Sequence, residues 1–407
     1  MTTKRRKIWL FNQCGQKYLA GAFLKTTNAL AEAGYEVVLS IMAPREQYLV
    51  DGRCLYNDQV AEGVQIRAIE LVTRNLPKRK PFQALKLVEL MARQFCRALS
   101  HDADLCIAFD IPMAFPILLA TRLKRKKQLY FALELYGEQT WVPMRRLWVW
   151  LDKRVCPRAD AIVAVDEMRA KHMCEAYGAR ATPLTVRNAP PYHEAVREHR
   201  FKPILEKAGS PATMVALYQG QIQRPRGMDQ LIAAAQHLDD HIALFLIGPC
   251  EPDYLSELQA TARRVGAAGK VFFLPAVPPH ELAAYTASAD LGVMVRLKDR
   301  LNVYYSAGAT NKLYEYLMAG LPVVTPNYPG FPEVVEQEGV GRCVDPTNPR
   351  DIALAINELL GNREHAEAMR QRALQLARDR YNWETSFEQI HALCRTLMGE
   401  PPRQGHG

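Results

Sequence analysis

Nowhere in these 407 residues does an apolar run reach the roughly 18 residues that a membrane-spanning helix needs. The basic start, Met1 to Lys7, leads straight into a strand-like segment at 7–11, without the longer apolar run of a signal peptide. The nine cysteines are odd in number and scattered, and no Cys-x-x-Cys occurs, so neither a zinc site nor a disulfide framework is expected. No histidine cluster has metal-ligand spacing, and no repeat or low-complexity tract is visible. These absences predict a reduced, cytoplasmic protein that needs neither a metal nor a resident cofactor.

What is present is ordinary globular material, 48% apolar and 23% charged, in a chain long enough for two domains with a core each. The charge is uneven. Residues 1–200 carry 32 basic against 20 acidic side chains, a net +12, and the remainder carries −3. A basic half attracts phosphates, anionic lipid or nucleic acid; a solvated basic surface reads the same way. A nucleic-acid protein would rest on this charge alone, and no nucleic-acid partner is expected.

The first half alternates β-branched apolar runs (7–11, 36–40, 64–71, 104–109, 128–133, 161–165, 184–187) with helical patterns at 22–33, 81–99, 113–123, 144–155 and 167–177. Gly34 follows the first helix as a left-handed cap should. After a break near 189–191, a charged helical stretch at 192–209 reads as a linker. The alternation then resumes, with strands at 213–218, 242–247, 270–274, 290–295 and 322–325 and helices between them, and it closes on two helical patterns at 364–378 and 383–398. Strand–helix–strand units of this length imply parallel sheets covered on both faces. The expected fold is α/β, two doubly wound domains in tandem, and ligands of such folds sit at the carboxyl ends of the strands.

Two loops carry chemistry. At 218–227, Gly220 permits a tight turn and a helix start offers free N–H groups, while Arg224 and Arg226 add charge where a diphosphate can lie. At 309–324, Thr310 or Asn311 can cap a helix whose Lys312 and Glu315 stand one turn apart. An ammonium beside a helix N-terminus suits a diphosphate, and a carboxylate one turn on suits the two hydroxyls of a ribose; an ordinary surface Lys–Glu pair has the same spacing.

The stretch ATNKLYEYLMAGLPVVTPNYPGFPEVV at 309–335 resembles the donor-site signature of retaining glycosyltransferases of the GT-B fold, in the large family that includes sucrose, mannosyl and capsule-polysaccharide transferases. YQGQIQRPRGMDQLI at 218–232 is similar to the same family's strand–loop–helix, and LPAVPPHELAAYTASADLGVMV at 274–295 to the segment between the two motifs. AEAGYEVVLS (31–40), PRADAIVAVDEMRAKHM (157–173) and RYNWETSFEQIHALC (380–394) fit equivalent positions more loosely.

The resemblance implies an acceptor domain at 1–195, a nucleotide-sugar domain at 196–380 and a cleft between them, with a last helix and tail, 381–407, returning to the first domain. Residue by residue, it implies that Glu315 binds the donor ribose, that Arg226 and Lys312 meet the diphosphate, and that Gly220 is the loop glycine. Arg224, Asn311 and Leu313 complete the donor site, and backbone near Ala276 and Val277 contacts the base. It further implies transfer with retention of configuration and without a metal, Arg226 and Lys312 stabilising the leaving charge. The implied partners are a nucleotide-sugar donor and a saccharide or lipid-linked acceptor.

Three positions depart from the family pattern: Gln221 where Arg is usual, Ala307 where an earlier acid would fall, and Leu133 where His is usual. They keep open a non-catalytic scaffold of the same fold; a nucleotide-sugar epimerase shares the two-domain shape.

In the first half, Gly15 and Gly21 lie in the loop after the first strand, and Asp110, Glu134 and Glu138 follow later strands. Glu134 or Asp110 can orient or deprotonate an acceptor hydroxyl; a capping or solvated loop acid is the competing reading. Asp102 and Asp104 imitate a metal-binding pair but precede their strand. The segment 141–158, with Trp141, Trp148 and Trp150 among Arg145, Arg146, Lys153, Arg154 and Arg158, can lie on an anionic membrane. A core helix with a solvated basic face accounts for it equally.

Overall fold

Alternation of apolar runs with amphipathic segments produces two parallel sheets. The computed structural model describes residues 5–13, 21–42, 49–50, 53–54, 60–77, 79–138 and 144–400. The chain divides into two units: one reaches Val186 and takes up the chain again from Ser386, and the other spans Arg187–Thr385.

The first unit runs β1 (Lys7–Phe11), α1 (Ala22–Glu32), β2 (Glu36–Met42), the short antiparallel pair β3 (Leu49–Val50) and β4 (Arg53–Cys54), and β5 (Gln65–Ile69). There follow α2 (Lys80–Ser100), β6 (Leu105–Phe109), α3 (Asp110–Leu123), β7 (Lys127–Ala132), α4 (Arg145–Val155), β8 (Ala161–Ala164), α5 (Glu167–Tyr177) and β9 (Leu184–Thr185). Its parallel sheet has the order β5-β2-β1-β6-β7-β8-β9. Because both faces are covered, β6 reads as an unbroken apolar run, Leu105 to Phe109, all buried.

The second unit repeats the pattern: α6 (Lys202–Lys207), β10 (Met214–Gln219), α7 (Met228–Ala234), β11 (Ile242–Ile247), α8 (Pro252–Arg264), β12 (Val271–Leu274), α9 (Pro279–Ser288) and β13 (Leu291–Val293). It continues with α10 (Leu301–Tyr304), α11 (Asn311–Met318), β14 (Val323–Pro326), α12 (Phe331–Val335), β15 (Gly341–Val344), α13 (Pro349–Gly361) and α14 (Arg363–Asp379). The parallel order is β12-β11-β10-β13-β14-β15, so the direction of winding reverses between β10 and β13. Alternate residues of β10 feed two cores. Val215 and Leu217 pack with Leu313, Tyr316 and Leu317 of α11, while Ala216 and Tyr218 pack with Leu231 and Ile232 of α7.

The last helix, α15 (Trp383–Leu397), begins in the second unit, where the Trp383 N–H donates to Pro190 O at 2.9 Å. In the first unit its His391 Nε2 lies 3.1 Å from the Tyr35 hydroxyl. Among the described residues no helix is long and apolar enough to cross a membrane.

The chief correction concerns 192–209. Residues 192–199 form no helix, and only Lys202–Lys207 do. The extended segment is held by partners distant in sequence: Tyr192 N–H donates to Glu384 at 3.0 Å, Glu198 N–H to Ser288 Oγ at 3.3 Å, and Arg197 pairs with Asp290.

Candidate functional site

Where the winding of the second unit reverses, the carboxyl end of β10 meets the start of α11. Gly220 follows β10 with φ +108°, a conformation L side chains rarely adopt, and its N–H donates to Ile247 O at 2.8 Å. A Cβ there would lie 2.8 Å from both Cε and Nζ of Lys312, so the missing side chain is what lets the lysine lie across the turn. The Lys312 amine stands 5.5 Å from the centre of the Tyr218 ring. Burial, then the neighbouring positive charge of Arg226, pushes it down to about 7; Glu315 opposes the shift and Arg296 adds to it. Among the described residues no carboxylate lies within ion-pair distance of Lys312.

α11 begins at Asn311 with Thr310 in the cap position, and neither side chain caps it. Its leading N–H groups therefore add partial positive charge beside Lys312. Arg226 donates from Nη2 to Gln221 Oε1 at 3.2 Å and has no acidic partner among the described residues. Lysine, arginine and helix end together concentrate positive charge at this strand end.

One turn along α11, Glu315 is half-buried, and its Oε2 accepts from Gln219 Nε2 at 2.6 Å. Gln219 and Glu315 line a cavity of about 520 Å³, with Leu282 and Thr286 of α9 and Tyr192 and His193 of the extended segment. The two carry-overs on α11 thus become neighbours of consecutive residues of one strand end: Glu315 meets Gln219, and Lys312 meets Gly220.

The other donor-site expectations fall differently. Arg224 turns to Glu257, with Asp229 at 3.9 Å, and its guanidinium lies 4.5 Å over the Tyr254 ring, so its charge is already balanced by acids. Val277 is half-buried against the core, Asn311 is exposed and Leu313 is fully buried. Ala307 is 1% exposed, so an acid at that position would be buried, and its carbonyl accepts from the Tyr314 hydroxyl. Arg296, Gln219 and Thr286 are the residues that sequence reasoning missed. Arg296 closes the apolar run VMV, a position at the carboxyl end of a strand that marks it.

In the first unit, Asp110 has φ +59° at the start of α3 and is buried. Its Oδ1 accepts the N–H groups of Leu133 at 2.9 Å and Glu134 at 3.0 Å. Burial raises its carboxyl to about 7, against the pull of those two bonds. The buried Arg169 donates to Leu133 O, and its Nη1 stands 4.0 Å from Glu134, whose side chain is 46% exposed. Asp110 therefore ties a strand end, and Glu134 is the acid presented outward. Glu138 meets His172 at 3.6 Å and the Tyr177 hydroxyl at 3.3 Å. Gly21 precedes α1 with φ +91°, while Gly15 and Trp141 lie outside the described residues. Asp102 pairs with Lys126 at 3.1 Å, and Asp104 holds Arg6 and the Lys7 N–H at 3.0 and 2.8 Å.

On α4, Trp148 is a core residue, 3% exposed, whereas Trp150 is 48% exposed with the Arg154 guanidinium 5.0 Å over its ring. Leu147 beside it, and Leu119 and Leu123 of the neighbouring α3, are also exposed. Arg122, Lys124, Arg145, Arg146 and Lys153 lie near them in sequence.

A lysine, an arginine and an uncapped helix start beside a glycine turn, at the reversal point of a doubly wound sheet, make an arrangement that suits a phosphorylated ligand. Comparison with known proteins carries the class further. Both units carry glycosyl transferase domains: residues 202–376 match the family model "Glycosyl transferases group 1", and residues 21–189 match "Glycosyl transferase 4-like domain".

Two curated relatives are a D-inositol 3-phosphate glycosyltransferase of Segniliparus rotundus and a GDP-mannose-dependent alpha-(1-6)-phosphatidylinositol monomannoside mannosyltransferase of Mycolicibacterium smegmatis. The first is 27% identical over 59% of this chain and 53% of its own length; the second is 28% identical over 57% and 61%. The chain thus spans little more than half the length of the curated relatives it matches. Anabaena HepE, solved with UDP and glucose, shares the fold at a TM-score of 0.71 and 18% identity, over 96% of this chain and 100% of that one.

Proposed function

We propose that this protein transfers a sugar from a nucleotide-sugar to a hydroxyl of a saccharide or lipid-linked acceptor, in glycolipid or polysaccharide biosynthesis. The carrying observation is the Lys312 amine beside Arg226 and Arg296, with no acid paired to it among the described residues; burial and these cations push it down to about 7. Such a site favours an incoming diphosphate, because the anion's charge relieves repulsion already built into the protein. Glu315, on the wall of the adjoining cavity, takes the ribose hydroxyls. Both curated relatives named above act on inositol-containing acceptors, which supports a polyol or lipid headgroup as the acceptor.

Charge on the diphosphate grows as the bond to the sugar breaks. Arg226, Lys312 and the α11 N-terminus stabilise that charge without a metal, and the acceptor oxygen arrives on the face the diphosphate leaves, retaining configuration. Glu134, exposed at the end of β7, orients the acceptor hydroxyl in this reading. The exposed Trp150, Leu147, Leu119 and Leu123, with arginine and lysine near them in sequence, rest on an anionic membrane where the lipid-linked acceptor resides.

Calorimetric titration with UDP- and GDP-sugars tests the reading. Glu315→Ala, a half-buried helix position, is expected to keep the fold and weaken the bound nucleotide-sugar by about tenfold or more, since its hydrogen bonds are charge-assisted. Equal affinity of the variant would remove Glu315 from the site. EDTA is expected to leave turnover unchanged. Nucleotide-sugar binding without transfer or hydrolysis would favour the scaffold alternative, for which Leu133 and Ala307, standing where the family has His and an acid, speak.

A further inference from the structure

A carboxylate on a helix surface has three rotatable side-chain bonds and ordinarily samples several rotamers, but that of Glu315 is held from below. Gln219, the last residue of β10, is 1% exposed, and a buried primary amide is costly unless both its ends are bonded. Both ends are. Nε2 donates to Glu315 Oε2 at 2.6 Å, and Oε1 accepts from the Thr286 hydroxyl at 2.7 Å. The Gln219 main chain is fixed as well: its N–H donates to the Tyr316 hydroxyl at 3.1 Å, which in turn donates to Val293 O at 3.3 Å.

The orientation of the amide follows from the charges. Turned the other way, its carbonyl oxygen would face a carboxylate oxygen, two acceptors with no proton between them. The Thr286 hydroxyl has one proton and two acceptors in reach, Gln219 Oε1 and its own helix's Leu282 O, each at 2.7 Å. Directing that proton to Gln219 is what lets the NH2 end point at Glu315. Among the described residues no protein donor meets Glu315 Oε1, so one carboxylate oxygen is anchored and the other remains available at the cavity that Gln219, Thr286 and Glu315 line.

We propose that Gln219 is a positioning residue for the donor's ribose, holding Glu315 in its binding rotamer, and that Thr286 sets the direction of the Gln219 amide. The inference rests on the reading above that Glu315 takes the ribose hydroxyls. It adds that the acid comes preorganised, so that binding does not have to order a free side chain. It also gives β10 a double role, since Gln219 orients the acid of α11 while Gly220 makes room for its lysine.

The test uses the full chain, calorimetric titration with UDP and GDP, and the 2′,3′-dideoxy analogue of whichever binds more tightly. Gln219→Leu keeps the volume and removes the amide. It is expected to weaken the ribonucleotide about tenfold, the worth of one charge-assisted hydrogen bond, and to leave the dideoxy analogue unchanged. Thr286→Val should act in the same direction by a few-fold, and in a Glu315→Gln background Gln219→Leu should add nothing. Equal losses for both nucleotides, or none, in a Gln219→Leu variant with an unchanged melting curve would overturn the proposal. Should Gln219→Leu unfold, Thr286→Val decides, and a ribose preference it leaves untouched overturns the proposal equally. If Glu315→Gln itself keeps the full preference for ribose, the ribose reading fails and the proposal falls with it. If Glu315→Gln abolishes the preference while Gln219→Leu and Thr286→Val do not, only the positioning role fails.

Discussion

Lys312 is a cation held where water is scarce and other cations are near, and its protonation is therefore coupled to whatever anion arrives. Its amine, about 7 in the folded protein against an ordinary 10.5, is largely neutral at pH 8. A nucleotide-sugar diphosphate has no group of its own titrating near neutrality, so its negative charge should draw a proton onto Lys312. Affinity should fall as pH rises above 7, by at most about tenfold per pH unit, and calorimetry in buffers of different ionisation enthalpy should register proton uptake. Lys312→Met should flatten the slope; an equal slope in that variant would place the proton elsewhere. The stability contribution of this group runs the opposite way, rising with pH. Between about 7 and 10.5 the unfolded chain binds the extra proton, so the group's cost to folding is full below 7 and fades as pH rises through that window. Asp110 is the opposite case. Its carboxyl, raised to about 7 from an ordinary 3.8, contributes stability that is complete below 3.8 and lost as pH rises through 7. Asp110→Asn keeps the acceptor for Leu133 and Glu134, accepts the positive φ and carries no charge. It should match the parent's melting temperature near pH 4 and exceed it at pH 8, and a lower value at pH 8 would show that the ionised form is the one required. Asp110→Ala should instead leave two N–H groups without their acceptor, at about 1–3 kcal/mol each.

α11 was legible as an element because its apolar positions 313, 314, 316 and 317 fit a helix and Gly320 marks its end. The sequence also placed Lys312 and Glu315 one turn apart, but not their partners. Those come from β10, through a contact that depends on Gly292: a Cβ there would overlap the Tyr316 ring, so the absence of a side chain lets α11 pack down on β13. Gly292→Ala should cost about 1–3 kcal/mol by overpacking and shift the Tyr316 hydroxyl away from the Gln219 N–H. Denaturant unfolding reads the first effect and loss of nucleotide affinity the second; a variant as stable as the parent would mean that the ring gives way at no cost. Shorter elements escaped notice. β15, four residues on the edge of its sheet with a glycine and an arginine among them, has too little periodicity to be read, and α12 is a single turn opened by Pro332. The 192–199 stretch failed for a different reason: its helical pattern lost to hydrogen bonds with Glu384 and Ser288, residues about ninety or more positions away.

For the molecule as a whole, the division of charge gains a location. The positive half of the chain carries the exposed apolar residues of α3 and α4 among its arginines and lysines. If this face rests on lipid, the protein should bind anionic vesicles and not neutral ones. Binding should weaken as salt rises, because exposed charges are screened over about 8 Å at physiological ionic strength. Neutralising Arg145, Arg146, Lys153 and Arg154 together should cost on the order of 1 kcal/mol per charge near the surface, and nucleotide affinity should survive, since the donor site lies in the other unit. Trp150→Ala should reduce vesicle binding with the fold intact, whereas Trp148→Ala should unfold the first unit, as the two burials require. A folded quadruple variant with undiminished vesicle affinity, measured by co-sedimentation, would favour a water-soluble acceptor.

Composition and periodicity alone determined that this is a two-unit α/β chain with parallel sheets, because strand–helix alternation and buried apolar runs are local properties. Motif spacing singled out Gly220, Arg224, Arg226, Lys312 and Glu315, because a turn glycine and a one-turn helix pair are legible without a fold, and the family resemblance gave them their roles. Only the tertiary structure decided which charges are spoken for. Arg224 and Arg226 look alike in sequence, yet one faces Glu257 and the other has no acid to pair with among the described residues. Trp148 and Trp150 look alike too, two positions apart on one helix, and the helix rotation between them turns one inward and leaves the other in solvent. Pairing and burial are set by what lies opposite in space, and for Glu315 that is Gln219, 96 positions away.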